Sequence, residues 1–335
     1  MEKAKTQKVN ARIQWIDIAK GLGILLVVFG HSGFPLVIQW WIYSFHMPLF
    51  FILSGLLFNP SKYKNLWEFL TKKSKGLVFP YVFFSTITLL VLVFIYHDNR
   101  FLDVAKNGWE GSALWFIPVL LFTELIYYIL ESFLNAIFLY IALICFALLG
   151  WYFSDVRIQL LYNFEVVLTA IAFYGIGHLF SKAINKLLSN NNWKLIMISI
   201  ICLTFNIIFC YLNNVKLDLA VNEVGILPYT YISALCGFLA IAAASSFIEK
   251  NFFFEKITFK SILIYLGSNS IVILGIHQII KMVLADEILK LNISKPASIT
   301  LRHLLLWIVM YIAIQVINRY IPIVLGKSNL KSKAW

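Results

Sequence analysis

Three histidines stand in stretches otherwise built of aliphatic and aromatic side chains. His31 closes WIDIAKGLGILLVVFGH, His46 opens HMPLFFILSG, and His277 lies in YLGSNSIVILGIHQII. An ionisable side chain in an apolar run is costly and calls for a reason. Each histidine alone is equally well a polar group hydrogen-bonded inside a bundle. Three together point to a shared polar pocket with a general base, because neutral imidazole takes a proton near neutral pH. Lys20 and His31 are eleven residues apart. At 3.6 residues per turn they share one helix face, about 16 Å apart along the axis, and Asp17 lies one turn before Lys20. Lys20 reads either as a lysine snorkelling to the membrane surface or as a cation at the mouth of the cavity that His31 lines.

Other charged and aromatic residues add to the pattern. Glu124 lies inside the apolar run LWFIPVLLFTEL and should face a partner, a lysine or a histidine, or carry a proton. Trp109 and Trp115 fit an interfacial aromatic belt. SKYKNLWEFLTKKSK, residues 61–75, reads as a basic loop with Lys72, Lys73 and Lys75 at its end. Such a loop serves as a topology signal, a contact for anionic lipid or a dock for a polyanion. Neither GxxxxGK[ST] nor a strand-borne GxGxxG is present, so the usual phosphate loops are missing.

The elements that must position these residues are membrane helices. The chain is 61% hydrophobic and 13% charged, with a mean hydropathy of +0.82. A soluble domain carries about twice that charge. Apolar stretches predict an all-α integral membrane protein, a bundle of about ten transmembrane helices near 13–31, 36–58, 77–96, 113–131, 134–152, 159–180, 194–212, 226–247, 261–280 and 300–323. Residues 1–335 then form a single membrane-embedded domain. The first run follows a basic N-terminus without a small-residue cleavage site, so it reads as a span and not as a removed signal.

The net charge of +12 does not indicate nucleic acid, because the basic residues fall in short segments between apolar runs. Most of the 28 Lys and Arg lie on one side if both termini are cytoplasmic. That orientation puts His31, His46 and His277 at similar depth in the outer half of the membrane, with Glu165 at a comparable level. His97 then falls in an outer loop, His178 near the inner boundary and His303 at the start of the last helix. Cys145, Cys202, Cys210 and Cys236 lie in apolar runs and read as free thiols; no His, Asp or Glu cluster has metal-ligand spacing.

WIDIAKGLGILLVVFGH (15–31), FHMPLFFILSG (45–55), LWFIPVLLFTEL (114–125) and YLGSNSIVILGIHQII (265–280) together resemble the acyltransferase 3 family of multispanning membrane enzymes. The branch they most resemble is the fucose 4-O-acetylase-type sugar acetyltransferases. The resemblance implies transfer of an acyl group, usually acetyl, from cytosolic acyl-CoA to a sugar hydroxyl of a surface polysaccharide or its lipid-linked precursor. It marks Lys20 and His31 as the helix-1 pair of the family, with His31 the base. Beside that pair, position in the chain makes His46, His277 and Glu124 further catalytic candidates, and Lys20, Lys72, Lys73, Lys75 and Trp115 candidates for the donor site. Where many members carry paired arginines before the third helix, this chain has three lysines and Gly76. Lysine meets phosphate as a point charge and not as a fork. The expected partners are acetyl-CoA, a carbohydrate acceptor and membrane lipid, with no metal. The Lys-, Ile-, Asn- and Phe-rich composition suits a low-GC bacterium and hence a multi-pass protein of its plasma membrane. A rival from another class is a transporter or flippase of a lipid-linked sugar, against which stands the lack of broken helix pairs in the pattern.

Overall fold

The computed structural model describes residues 13–33, 35–97, 108, 112–289, 291 and 293–327, and among these the chain is helical throughout, without a β-strand. The helices are α1 (Gln14–Gly30), α2 (Leu36–Tyr43), α3 (His46–Leu56), α4 (Leu66–Lys73), α5 (Phe79–Phe94), α6 (Phe116–Phe133), α7 (Ala136–Asp155), α8 (Phe164–Leu179), α9 (Ser181–Leu188), α10 (Asn192–Leu212), α11 (Leu227–Lys250), α12 (Phe252–Lys256), α13 (Phe259–Ser268), α14 (Ser270–Leu289) and α15 (Lys295–Tyr320). Among the described residues, seven helical stretches are long and apolar enough to cross a membrane, or up to nine if two bent pairs each count as one span. The expected stretch at 13–31 is the 17-residue α1, too short to be counted among them. Several spans face outward with apolar side chains, among them Ile144 and Leu148 on α7, Ile200 and Phe205 on α10, and Ile308 and Tyr311 on α15. Such surfaces suit lipid.

Three expected elements differ from their sequence reading, each for a local reason. The helix expected at 36–58 breaks between α2 and α3. Pro48 lacks an N–H and its ring would meet the carbonyl of Ser44, four residues back. The basic stretch 61–75 is not a loop. Asn65 accepts from the Glu68 N–H at 2.9 Å, and Glu68 reaches back to the Lys64 N–H at 2.7 Å. This two-way capping starts α4. A π-helical turn at Ser74–Val78 then carries the chain into α5, so Leu66–Phe94 is one apolar helical stretch.

The third difference is a bend. The helix expected at 261–280 is an elbow: α13 and α14 meet at Asn269 with a bend of 82°. The Asn269 amide donates to the Tyr265 carbonyl at 2.8 Å, and its oxygen accepts from Asn318 of α15 at 2.7 Å. Lys327 donates in turn to Asn318 at 2.6 Å. α8 and α9 bend by 62°. Broken helices therefore are present, contrary to the sequence reading.

The core helices meet at glycines. A Cβ on Gly21 would strike the Leu263 carbonyl of α13, and one on Gly267 the Asp17 carbonyl of α1. Small residues let two backbones touch in this way inside a membrane protein. The same reciprocity joins α3 to α8 through Gly55 and Gly177. A buried polar hub ties α2, α10 and α11. Asn206 donates to Ser44 Oγ and to the Ser233 carbonyl, both at 2.9 Å, and accepts from Trp41 Nε1 at 2.8 Å.

Candidate active site

The break between α2 and α3, the end of α1 and the elbow before α14 bring the three histidines together. His31 caps the C-terminus of α1, its N–H bonded to the Val27 carbonyl. His46 is the first residue of α3, and its Nδ1 donates to the Ile42 carbonyl at 2.9 Å. His277, on α14, donates from Nδ1 to the Ile273 carbonyl at 2.9 Å and the Leu274 carbonyl at 3.0 Å. A carbonyl only accepts, so these bonds hold the neutral rings of His46 and His277 in the tautomer whose Nε2 carries a lone pair. Both side chains are buried, and the His277 Nε2 has no hydrogen-bond partner. Neither neutral ring has an N–H to spare for a developing oxyanion.

Tyr43 links the group. Its hydroxyl is 3.2 Å from His31 Nδ1, and its ring lies 4.8 Å from that of His46. The rings of His31 and His277 are 5.5 Å apart. His31, Tyr43 and His46 line a cavity of about 160 Å³ together with Trp115, Asp218 and Gln278. His277 stands behind His31, off the cavity wall. Trp115 is buried in that wall and does not belong to an interfacial belt. Gln278 accepts from the Ala113 N–H at 2.7 Å, which fixes the segment carrying Trp115.

A second cavity of about 180 Å³ lies one to two turns along the same helices. α1 gives it Lys20 and Ile24 where it gives the first Val27 and His31. α3 gives Phe50 and Ser54 in place of His46 and Met47, and α14 gives Ser270 and Ile271 in place of Gln278. Leu274 lies on the wall of both. The shared helix face read from the spacing of Lys20 and His31 thus opens into two stacked chambers.

Glu124 does not join the histidines. It is buried on α6 and pairs with Lys73 Nζ at 2.7 Å. A lysine partner was among the expectations. Lys73 therefore faces a carboxylate. Lys72 pairs with Glu68 at 2.8 Å, and Lys75 is exposed. Glu165 accepts from the Leu160 N–H at 2.8 Å, next to the start of α8. His178 Nδ1 meets the Tyr127 hydroxyl at 2.8 Å, His303 stands edge-on to Phe29, and His97 adopts a left-handed backbone with φ of 50°. Trp109 and the basic residues before position 13 lie outside the described residues.

Several functional candidates escaped the sequence reading. Lys281 donates from Nζ to the His31 carbonyl at 2.6 Å, and Arg302 to the Ser32 carbonyl at 3.4 Å. Two cations thus meet the carbonyls at the end of α1, where the helix dipole favours positive charge. The spacing of His277 and Lys281, one turn apart in HQIIK, was the legible signal. Lys216 sits 4.2 Å from the Tyr43 ring centroid and pairs with Asp218 at 2.8 Å. Both come from the connection between α10 and α11, whose Leu217 to Val221 fold over the histidine chamber. Among the described residues, no group of three His, Cys, Asp or Glu is placed to hold a metal ion.

The arrangement places a histidine beside a tyrosine hydroxyl on the wall of one cavity, with a second cavity leading to a lysine. The sequence matches the model of the acyltransferase domain family (Acyl_transf_3) over residues 13–325, so the chain belongs to that family. No curated protein matches it, and no solved structure does. Family and apolar helices together make it a multi-pass membrane acyltransferase.

Proposed function

From this membership in the acyltransferase family, we propose that the protein is an O-acyltransferase of a bacterial plasma membrane, similar to the fucose 4-O-acetylase type. It takes an acetyl group from cytosolic acetyl-CoA and moves it to a sugar hydroxyl of a surface polysaccharide or its lipid-linked precursor. The observation that carries this reading is the pair of stacked chambers, one lined by Lys20 and the other by His31 and His46, meeting at Leu274. Both termini are cytoplasmic in this scheme. The CoA phosphates meet the cations of the Lys20 side, Lys72 and Lys75 among them. The pantetheine arm runs through the Lys20 chamber to deliver the thioester beside Trp115.

His31 is the base. With its Nδ1–H donated to the Tyr43 oxygen, Nε2 takes the proton of the acceptor hydroxyl. The hydroxyl oxygen bonds to the thioester carbonyl carbon, the C–S bond breaks, and the CoA sulfur leaves with the proton from His31. The lone pair on His46 Nε2 accepts a second acceptor hydroxyl and fixes the sugar. Lys281 and His277 hold His31 in place. Bent helices also suit transporters, but the acyltransferase family favours acyl chemistry over that reading.

The test is acetyl-CoA turnover by purified protein with a pool of bacterial surface glycans, wild type against His31→Ala, with folding checked by monodispersity. The expected result is label transfer to glycan that His31→Ala lowers by at least about 100-fold, the usual weight of general base catalysis. Undiminished transfer by a well-folded His31→Ala would remove His31 from the role of base. A wild type that neither binds nor consumes acyl-CoA would overturn the acyltransfer reading itself.

A further inference from the structure

Leu274 lies on the wall of three cavities at once. Two are the stacked chambers of the histidines and of Lys20. The third, of about 490 Å³, lies between α5 and α14, where Thr88 and Leu92 face Gly275, Gln278 and Lys281. The third cavity also shares Ser112 and Gln278 with the histidine chamber. Leu274 is itself buried, and its carbonyl takes part in holding His277. Leu274 is thus the apolar residue that the walls of the three spaces share.

We propose that Leu274 sets the length of the acyl group the enzyme accepts, by closing the space into which a longer chain would extend. The proposal rests on the acyltransfer reading given above. An acyl group travels at the tip of the pantetheine arm, so it enters the histidine chamber ahead of the sulfur. That chamber, about 160 Å³, must hold the acyl group and the acceptor carbon bearing the hydroxyl. Acetyl adds only a methyl group beyond the carbonyl. Each further methylene has to displace the acceptor or press on the wall, and beyond that wall lies the cavity between α5 and α14. Trimming Leu274 to its Cβ joins that cavity to the chamber. The chemistry of bond making and breaking is untouched, since the Leu274 side chain has no ionisable group and the substitution keeps the carbonyl that holds His277.

The measurement is kcat/KM for acetyl-, propionyl- and butyryl-CoA with the same glycan pool, for wild type, Leu274→Ala and Leu274→Val. One methylene in an apolar pocket is worth roughly 10- to 200-fold in specificity. Wild type is therefore expected to favour acetyl over butyryl by about 100-fold or more. Leu274→Ala should narrow that ratio at least about 10-fold, through a gain with butyryl-CoA, and Leu274→Val should fall between. Leu92→Ala is the control: it enlarges the third cavity alone and should leave the ratio as in wild type. An unchanged donor ratio in a monodisperse Leu274→Ala would overturn the proposal, as would an equal loss with every donor, which marks a purely structural residue. If Leu274→Ala does not fold, Leu274→Val decides by the same criteria. A wild type inactive with all acyl-CoAs that also fails to bind them refutes the underlying acyltransfer reading, a result separate from an unaltered ratio in an active enzyme.

Discussion

The Lys73–Glu124 pair makes a quantitative prediction. The two side chains meet at 2.7 Å but differ in surroundings: the lysine side chain is 23% exposed and the glutamate 5%. The second glutamate oxygen, Oε2, is buried without a hydrogen-bond partner. In Lys73→Met the buried carboxylate loses its hydrogen-bonded partner, keeps only the charge of Lys20 nearby, and has no long stem with which to escape. Breaking a buried pair from one side costs about 3–5 kcal/mol. In Glu124→Leu the lysine is left alone, but its partly exposed stem can swing out towards water, so the cost should be nearer 1 kcal/mol. The double variant removes both charges and should lie within about 1 kcal/mol of wild type, or above it.

At roughly 2 °C per kcal/mol, thermal scans of the four proteins in detergent should show Lys73→Met lowest by about 6–10 °C. Glu124→Leu should drop by a few degrees, and the double variant should be restored. Equal losses in the two single variants would refute the asymmetry argument. A double variant as unstable as the sum of the singles would refute the pairing. Acyl transfer by the restored double variant then separates roles. Activity near wild type makes the pair structural, and a folded but inactive double variant makes one of the two residues part of the donor site.

The other expectations follow from single contacts. Tyr43→Phe removes the hydroxyl 3.2 Å from His31 Nδ1. It should lower kcat by about 10-fold, the weight of one hydrogen bond of about 1.5 kcal/mol, with donor KM and thermal stability unchanged; steady-state kinetics and a melt decide. Asn206→Leu strips the hub between α2, α10 and α11 and leaves Trp41 Nε1 without its acceptor. At about 1 kcal/mol for each interhelical bond in a membrane protein, a loss of about 2–3 kcal/mol should appear as a lower melting temperature. Gly267→Val puts carbon into the Asp17 carbonyl and should abolish a monodisperse product. Gly76→Ala meets nothing within 4 Å and should behave as wild type in the same size-exclusion assay.

How much of this was legible in the sequence depends on whether a feature is periodic or tertiary. The Lys20–His31 face followed from helical spacing alone, because α1 runs unbroken from Gln14 to Gly30 and lines both chambers. That Glu124 needs a lysine, a histidine or a proton followed from the cost of a lone buried charge; that the partner is Lys73 rests on how α4 lies against α6. The break expected between 131 and 134 is present: Asn135 caps α7 by accepting from the Phe138 N–H at 3.1 Å. The basic stretch 61–75 was misread because its lysines outweighed its caps. NLWE carried the helix start in plain view.

The elbow at Asn269 shows what spacing cannot give. GSN tolerates a straight membrane helix, and apolar residues run on both sides of it. The bend is held from outside, by Asn318 of α15 and by the contact of Gly267 with the Asp17 carbonyl. The same holds for Lys216 and Asp218, which reach Tyr43 and the histidine chamber through a connection with no periodicity at all. The elbow also has a consequence for the site. α13 lies along α1 through Gly21 and Gly267. The bend of 82° then turns α14 away from α13. His277 is brought behind His31, Lys281 beneath its carbonyl, and Leu274 between the chambers. A straight helix 261–280 would carry the same residues without that convergence. The residues of the candidate site are therefore a property of the sequence, and their meeting is a property of the break.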